Sequence, residues 1–391
     1  MKNKIIFLSL IAFFFCNQLI AQFTIINGNH ILEISGNIST YYNYRWLKPN
    51  ELGKDKNRFA LRDAQFQFEG KIGNTWKYEF QADLADFVSN TTGQPDAENP
   101  GLMEANVSFT GLKLLDIKIG YGKLPYSFQS LVPFSQSPYW QRAEIARGDF
   151  FSRRDVGITL SKSLFKSKLR FDAGAYTGLG EKSLIGENDD SGALEYVGRA
   201  MFCYPAKYRY RIVDFNHSVI PLFTIAVNGR YTKRNLPVGS TFPPGSTGAY
   251  GIKIIDGEKY VYGADFAFQY QGFSVQLEAN QIKGTPADTN NALLNNTPQR
   301  FNKGHFISGA FVAQTSYFLK PLSSVFSFRF EHLNINDLVE GYTERYAAAY
   351  AFKFKKSNAM FKVQYYFFGK EETLADLKYS KQIRAGYQIN F

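Results

Sequence analysis

Five basic side chains, Lys123, Arg142, Arg147, Arg153 and Arg154, lie within or beside a thirty-residue stretch, 125–154. It runs from Pro125-Tyr126-Ser127-Phe128 through Trp140-Gln141-Arg142 to Arg153-Arg154. Guanidinium groups crowded into a narrow space attract anions and hold phosphate-like oxygens through paired N–H donors. Glu144 and Asp149 in the same stretch, and Asp155 beyond it, can equally pair with these arginines and pin the segment. Residue type and spacing leave ion contact and anchoring both open.

Other chemistry finds little support. His30, His217, His305 and His332 are scattered, with no His-Glu-x-x-His pair for zinc and no Gly-x-Ser-x-Gly elbow. Carboxylates such as Asp83 and Glu104 read as solvated wall rather than an acid–base pair. The expectation is a chain that needs no cofactor, holds no metal and is not an enzyme. A serine lipase with its Ser and His on different strands is the enzymatic alternative, and an assay for phospholipid hydrolysis separates it.

The elements that must carry these residues are strands. The last nine residues, 383–391, alternate Ile383, Ala385, Tyr387, Ile389 and Phe391 with Arg384, Gly386, Gln388 and Asn390. Side chains alternate across a strand, so one face suits lipid and the other a wet interior. About sixteen such segments recur, near 34–46, 58–72, 76–84, 102–109, 116–124, 155–160, 168–177 and 195–204, then 222–231, 260–269, 273–283, 305–318, 325–333, 343–354, 359–368 and 380–391. Short connections such as 73–75, 271–272, 319–322 and 355–358 mostly alternate with long ones, 87–101, 125–154, 178–194, 232–259 and 284–303. Barrels threaded through an outer membrane have this asymmetry of short periplasmic turns and long external loops. One connection, 205–221, falls on the periplasmic side yet is long and basic, and the pattern gives no account of it.

At the other end, Lys2 and Lys4, the apolar run Ile5–Phe15 and the small residue Ala21 follow the order of a secretory signal, so the mature chain is expected to begin near Gln22. Cys16 follows Phe13-Phe14-Phe15 where a lipoprotein signal needs small residues, which argues against lipidation. With the leader removed, Cys203 is the sole cysteine and no intramolecular disulfide can form. No later stretch offers about 18 uninterrupted apolar residues, so any membrane crossing falls to strands. The formal charge of +11 would suit nucleic acid, but an exported chain meets anionic solutes and lipopolysaccharide instead. The expected architecture is all-β: one transmembrane antiparallel barrel over 22–391, preceded by a signal peptide over 1–21, with one long loop folded into the lumen.

Sixteen strands leave an aqueous bore where eight would be filled by side chains. By strand parity the bore is lined by Arg45, Lys77, Lys118, Arg170, Arg199, Arg230, Arg329, Arg345, Lys353, Lys362 and Arg384. Asp63, Glu69, Glu79, Asp83, Glu104, Asp155, Asp172, Asp265, Glu278 and Glu331 face the same way. The two signs nearly balance, so any ion preference must come from the inward loop. Most of the 37 Phe and 25 Tyr fall on the lipid phase, which counts against a channel for apolar solutes. A surface adhesin built on the loops 232–259 and 284–303 is a further alternative, but their Gly, Pro, Asn and Thr content reads as solvated loop.

Three runs carry a resemblance: Arg62-Asp63-Ala64 with Phe66, Phe68 and Gly70; Ile119-Gly120-Tyr121-Gly122-Lys123-Leu124-Pro125-Tyr126-Ser127; and Gln141-Arg142 with Arg153-Arg154-Asp155-Val156-Gly157-Ile158. The chain resembles the phosphate-selective porin O and P family, most clearly over 58–180. The resemblance implies a sixteen-stranded, trimeric porin in the outer membrane of a Gram-negative bacterium, with inward-folded loops and passive diffusion of small hydrophilic solutes. It implies anion or phosphate preference at a constriction, with Lys123, Arg142 and Arg154 in the matching positions and Arg147 and Arg153 beside them. A terminal strand ending in Phe391 implies recognition by the barrel-assembly machinery. The mixed wall departs from a dedicated phosphate pore, so a general pore and a phosphate-selective one both stay open.

Overall fold

The computed structural model describes residues 23–47, 57–85, 101–146, 152–180, 192–205, 207–208, 210–235, 257–286, 293–294, 297–298, 304–334, 337, 342–355, 358–371 and 379–391. The leader and Arg147 lie outside these residues. The strands are β1 (Phe23–Asn27), β2 (His30–Leu47), β3 (Asn57–Ile72), β4 (Trp76–Asp83), β5 (Leu102–Phe109), β6 (Asp116–Lys123), β7 (Arg154–Leu164), β8 (Leu169–Tyr176), β9 (Glu195–Tyr204) and β10 (Leu222–Arg234). They continue as β11 (Gly257–Tyr270), β12 (Phe273–Pro286), β13 (Leu293–Leu294), β14 (Thr297–Pro298), β15 (Phe306–Leu319), β16 (Ser324–Asn334), β17 (Thr343–Lys353), β18 (Ala359–Glu371) and β19 (Tyr379–Asn390). β2–β12 and β15–β19 pair in chain order, all antiparallel, and β19 returns to β2, so the sheet is a closed barrel of sixteen strands. Closure leaves no unpaired strand for lipid to meet, which a membrane interior demands of any sheet.

Each of the sixteen expected segments is a barrel strand. β13 and β14 form a separate small hairpin, and β1 was not expected. β1 pairs with His30–Ile34 of β2, below Asn37 where pairing with β19 stops, and so extends the ladder past the seam. At that seam Gly36 and Phe391 exchange main-chain hydrogen bonds of 2.7 and 3.0 Å, and the Phe391 ring lies edge-on to Phe66. A Cβ at Gly36 would fall 2.5 Å from Phe391 Cζ, so the position requires glycine.

The alternation places residues as parity demands over most of the barrel. On β19, Gln382, Arg384 and Gln388 are buried in the interior while Tyr387 and Ile389 are exposed on the skin. Phe80 on β4, and Phe326 and Phe328 on β16, are likewise exposed outward. Register shifts interrupt the alternation on several pairs, and the one on β3 bears on the bore. Ser39 pairs with Asp63 but Thr40 with Leu61, so Arg62 is the extra residue of a β-bulge. The bulge switches phase, keeping Phe59 and Leu61 on the same outer face as Phe66 while turning Arg62 inward beside Asp63.

The long periplasmic connection 205–221 is explained by where it goes. Tyr208, Ile212 and Val213 are buried against Met201, Cys203, Ala226 and Ala267 of the inner wall. The main-chain oxygen of Arg211 accepts from Gln269 and Gln276 at 3.2 and 2.8 Å, and Asp214 accepts from Ser218 and Gly272 at 2.7 and 3.0 Å. The segment therefore enters the barrel from below and is fixed there by inward amides and its own carboxylate.

Candidate functional site: the constriction

The stretch after β6 crosses the lumen and is bolted to the far wall. Leu124 N donates to Arg153 O at 2.9 Å, closing the stem. Ser127, at φ 61, caps a single helical turn, α1 (Phe128–Leu131). Glu278 of β12 accepts from the Ser127 hydroxyl and from Gln129 N (2.8 Å), so one inward carboxylate satisfies the start of that turn. Further along, Trp140 N donates to Gln364 Oε1 at 2.6 Å and Trp140 Nε1 to Lys362 O at 3.2 Å, both on β18. Glu144 N donates to Glu331 at 2.6 Å, the Glu144 carboxylate binds Arg345, and Arg329 donates to Gln141 O at 3.0 Å. Hydrogen bonds to charged groups contribute about 1.5–3 kcal/mol each, so these tethers hold the segment in one place.

Where the segment lands, the interior is dry. Phe128, Val132 and Tyr139 pack with Tyr208, Ile212 and Val213 of the periplasmic insertion, and Phe128 meets the Tyr208 and Tyr210 rings at 6.1 and 5.4 Å. Inward alanines 226, 267, 347, 349 and 351 leave room for this plug. Burial raises the phenol pKa of both Tyr139 and Tyr208. Charges on the plugged wall are neutralised in pairs: Arg199 with Asp265 at 2.6 Å, Arg230 with Glu195 at 2.8 Å, and Arg329 with Glu331 at 2.8 Å. Phe318 on β15 and Tyr366 on β18 are inward aromatics of this cluster, while Phe306 on β15 packs separately with Leu124, Tyr126 and Ile145.

The opposite wall, β2–β6, keeps the open space. Lys77 and Glu69 are exposed to it, and Gln65, Gln67 and Gln81 are half-buried along it. Of the four basic candidates among the described residues, Lys123 is the one whose side chain is half-exposed here, within electrostatic reach of Glu104, Arg154, Arg142 and Glu79. Arg142 is buried and donates to Gln129 O and Val132 O at 3.1 and 2.9 Å, with its guanidinium 4.8 Å over Phe134. Arg154 is buried and meets Glu104 at 3.3 Å, while Arg153 is buried in the stem. Asp155 accepts from Gly178 N and Gly180 N at 2.6 and 3.1 Å and so anchors the next external turn.

Two cations beside these escaped sequence reasoning as constriction residues. Arg62 stands 4.5 Å over Phe134 and donates to Trp140 O at 2.9 Å, and Lys362 stands 4.4 Å over the Trp140 ring. The signal for Arg62 was present in the phase change between Phe59, Leu61 and Phe66, Phe68. Lys362 was assigned to the wall, and only the folded loop brings it to the constriction.

An apolar skin, a polar bore and a tethered inward loop define a transmembrane diffusion channel. The phosphate-selective porin O and P family model matches residues 32–352, and the chain belongs to that family, whose members are outer-membrane porins. No curated protein matches the chain. Among solved structures it is similar to the trimer form of OmpT, an outer membrane protein of Vibrio cholerae (TM-score 0.56, 8% identity, covering 93% of this chain and 99% of that one). It is also similar to the anion-selective porin from Comamonas acidovorans (TM-score 0.55, 12% identity, 93% and 100%). The outer membrane channel DcaP of Acinetobacter baumannii is a third (TM-score 0.57, 9% identity, 94% and 99%). At these identities the likeness concerns the fold.

Proposed function

We propose that this outer-membrane porin passes small hydrophilic solutes with a modest preference for anions, and is a general pore rather than a dedicated phosphate channel. The observation that carries this reading is the mixed constriction: Lys123 shares its space with Glu104 and Glu79 as well as with Arg154 and Arg142. A phosphate-stripping site needs several cations directed at one anion, whereas Arg154 meets Glu104 and Arg142 holds loop carbonyls. Lys123 is the ion-contacting candidate, Arg142 and Arg154 position the loop and set the local potential, and Arg147 and Arg153 extend the basic stretch.

Reversal potentials across a planar bilayer under a salt gradient test this. Wild type should favour chloride over potassium a few-fold and pass phosphate no better than chloride. Phosphate blocking chloride current at micromolar concentration would overturn the general-pore reading. The leader over residues 1–21 directs export, and the Phe391 strand is read by the barrel-assembly machinery. The lipid-facing skin meets lipopolysaccharide in the outer leaflet. The trimer form among the similar structures supports a homotrimer, which native mass spectrometry would detect.

A further inference from the structure

A cavity of 170 Å³ opens on the periplasmic side of the open wall, where β3 and β4 approach their connecting turn at 73–75. Glu69, Lys71, Lys77 and Glu79 line it, together with Ser108 of β5. Strand phase brings the four charges to one face, since 69 and 71 on β3 and 77 and 79 on β4 all point inward. Their register sets the pattern. Glu69 pairs directly with Glu79, and Lys71 pairs directly with Lys77.

Like charges directly opposite one another weaken a strand pair, whereas opposite charges support it. Exchanging Glu69 and Lys71 along β3 would give two attractive pairs from the same four residues. The chain instead gathers negative charge at one level and positive charge at the next. Glu33 of β2 also stands opposite Glu69, which extends the negative level by a strand. This stretch of wall therefore carries a dipole that runs along the strands.

Both levels are open to a ligand. The Gln67 amide donates to Glu69 and, at 3.2 Å, to Glu79, so one clip holds the two carboxylates together. A carboxylate keeps further acceptor sites after one such bond. Lys71 acts on Glu69 through space without closing to an ion pair. Neither Lys71 nor Lys77 forms an ion pair or a side-chain hydrogen bond among the described residues, and both are exposed.

The two levels are two residues apart, about 6.7 Å along a strand. An extended dipeptide is itself two residues of chain and spans at most about 7 Å between its ends. A single amino acid carries its ammonium and carboxylate on one Cα, about 2.5 Å apart, and falls short of both levels at once.

We propose that this quartet is a docking site for zwitterionic dipeptides, with the amino terminus between Glu69 and Glu79 and the carboxylate between Lys71 and Lys77. The Ser108 hydroxyl, opposite Lys77 and without a hydrogen-bond partner among the described residues, is placed for the peptide group. Contacts between exposed charges are weak singly, which suits a solute that must also leave. The inference rests on the porin reading for its physiological sense and deepens it by naming a solute class, but binding can be measured without conduction.

Saturation-transfer NMR on the full chain in detergent, with glycylglycine as the probe, is the test. Glycylglycine should bind at least about fivefold more tightly than N-acetylglycylglycine, which lacks the ammonium, or glycylglycinamide, which lacks the carboxylate. Exchanging the charges of β3, Glu69→Lys with Lys71→Glu, keeps the net charge and makes both cross-strand pairs attractive, yet should weaken glycylglycine about fivefold. Should the exchanged chain give no folded barrel, Lys77→Met carries the same expectation for glycylglycine and should leave glycylglycinamide unchanged. Equal binding of N-acetylglycylglycine would make the lysines a plain anion site, and equal binding of glycylglycinamide would make the glutamates a plain cation site. Either result overturns the proposal, as does undiminished binding in the exchanged chain. Entry of glycylglycine into liposomes without measurable binding removes the site and leaves the porin. Binding without entry keeps the site and counts against the porin reading.

Discussion

The two halves of the bore solve opposite problems with the same ribbon. On β9–β18 the inward positions hold alanines, paired ions and a few aromatics, and two inserted segments meet over them in a dry contact centred on Phe128 and Tyr208. On β2–β6 the inward positions hold Gln65, Gln67, Gln81, Glu69 and Lys77, and space remains in front of them. Strand number fixes the circumference, but the width available to a solute depends on how much of that circumference the insertions cover. Small side chains invite packing and long polar ones keep water. The asymmetry is therefore written in side-chain volume as much as in charge.

The largest test of this contrast removes the lower half of the plug. Replacing residues 206–220 by a short turn should raise single-channel conductance about threefold, because the dry half would refill with water. An unchanged conductance would mean the insertion does not limit the path. Next, Ala349→Phe should force the plug off its seat, costing about 1–3 kcal/mol through overpacking. A lower thermal midpoint should report it.

Glu278→Gln should cost less, because the amide oxygen can still accept from part of the three donors, Ser127, Gln129 and Asn280, that the carboxylate now holds. A loss of about 1–2 kcal/mol in loop anchoring should show as increased current noise with mean conductance preserved. The smallest effect is expected from Lys123→Gln, which should reduce the chloride-to-potassium permeability ratio by about twofold with no change in thermal midpoint. If Arg142→Ala shifts the ratio more than Lys123→Gln while leaving stability intact, the roles assigned to the two residues are reversed.

The strand pattern was legible because lipid enforces it: an outward polar residue is costly on every strand, so periodicity survives around the whole ring. β3 misled at one residue, since a bulge at Arg62 reverses parity without leaving a Gly or Pro to mark it. The connection 205–221 stood out by its length, but its destination depended on complementarity with alanines more than a hundred residues away, such as Ala347 and Ala349. The site was less legible than the fold. Residue type singled out Arg142, yet whether its donors face a solute or the carbonyls of Gln129 and Val132 is decided by how the loop folds back. Lys362 was invisible as a constriction residue for the same reason, its neighbour Trp140 being supplied by a remote stretch of chain.

The join between Asn37 and Asn390, 353 positions apart, dictates when the cylinder can become watertight. Until those amides meet at 2.6 Å and Phe391 settles on Gly36, both β2 and β19 carry a row of bare peptide groups that hydrocarbon cannot solvate. Insertion of the earlier hairpins can therefore lower the energy only so far. The ring seals when β19 pairs with β2, and Phe391→Ala, which removes the ring packed on Gly36 and Phe66, should loosen the seam and make it more protease-sensitive.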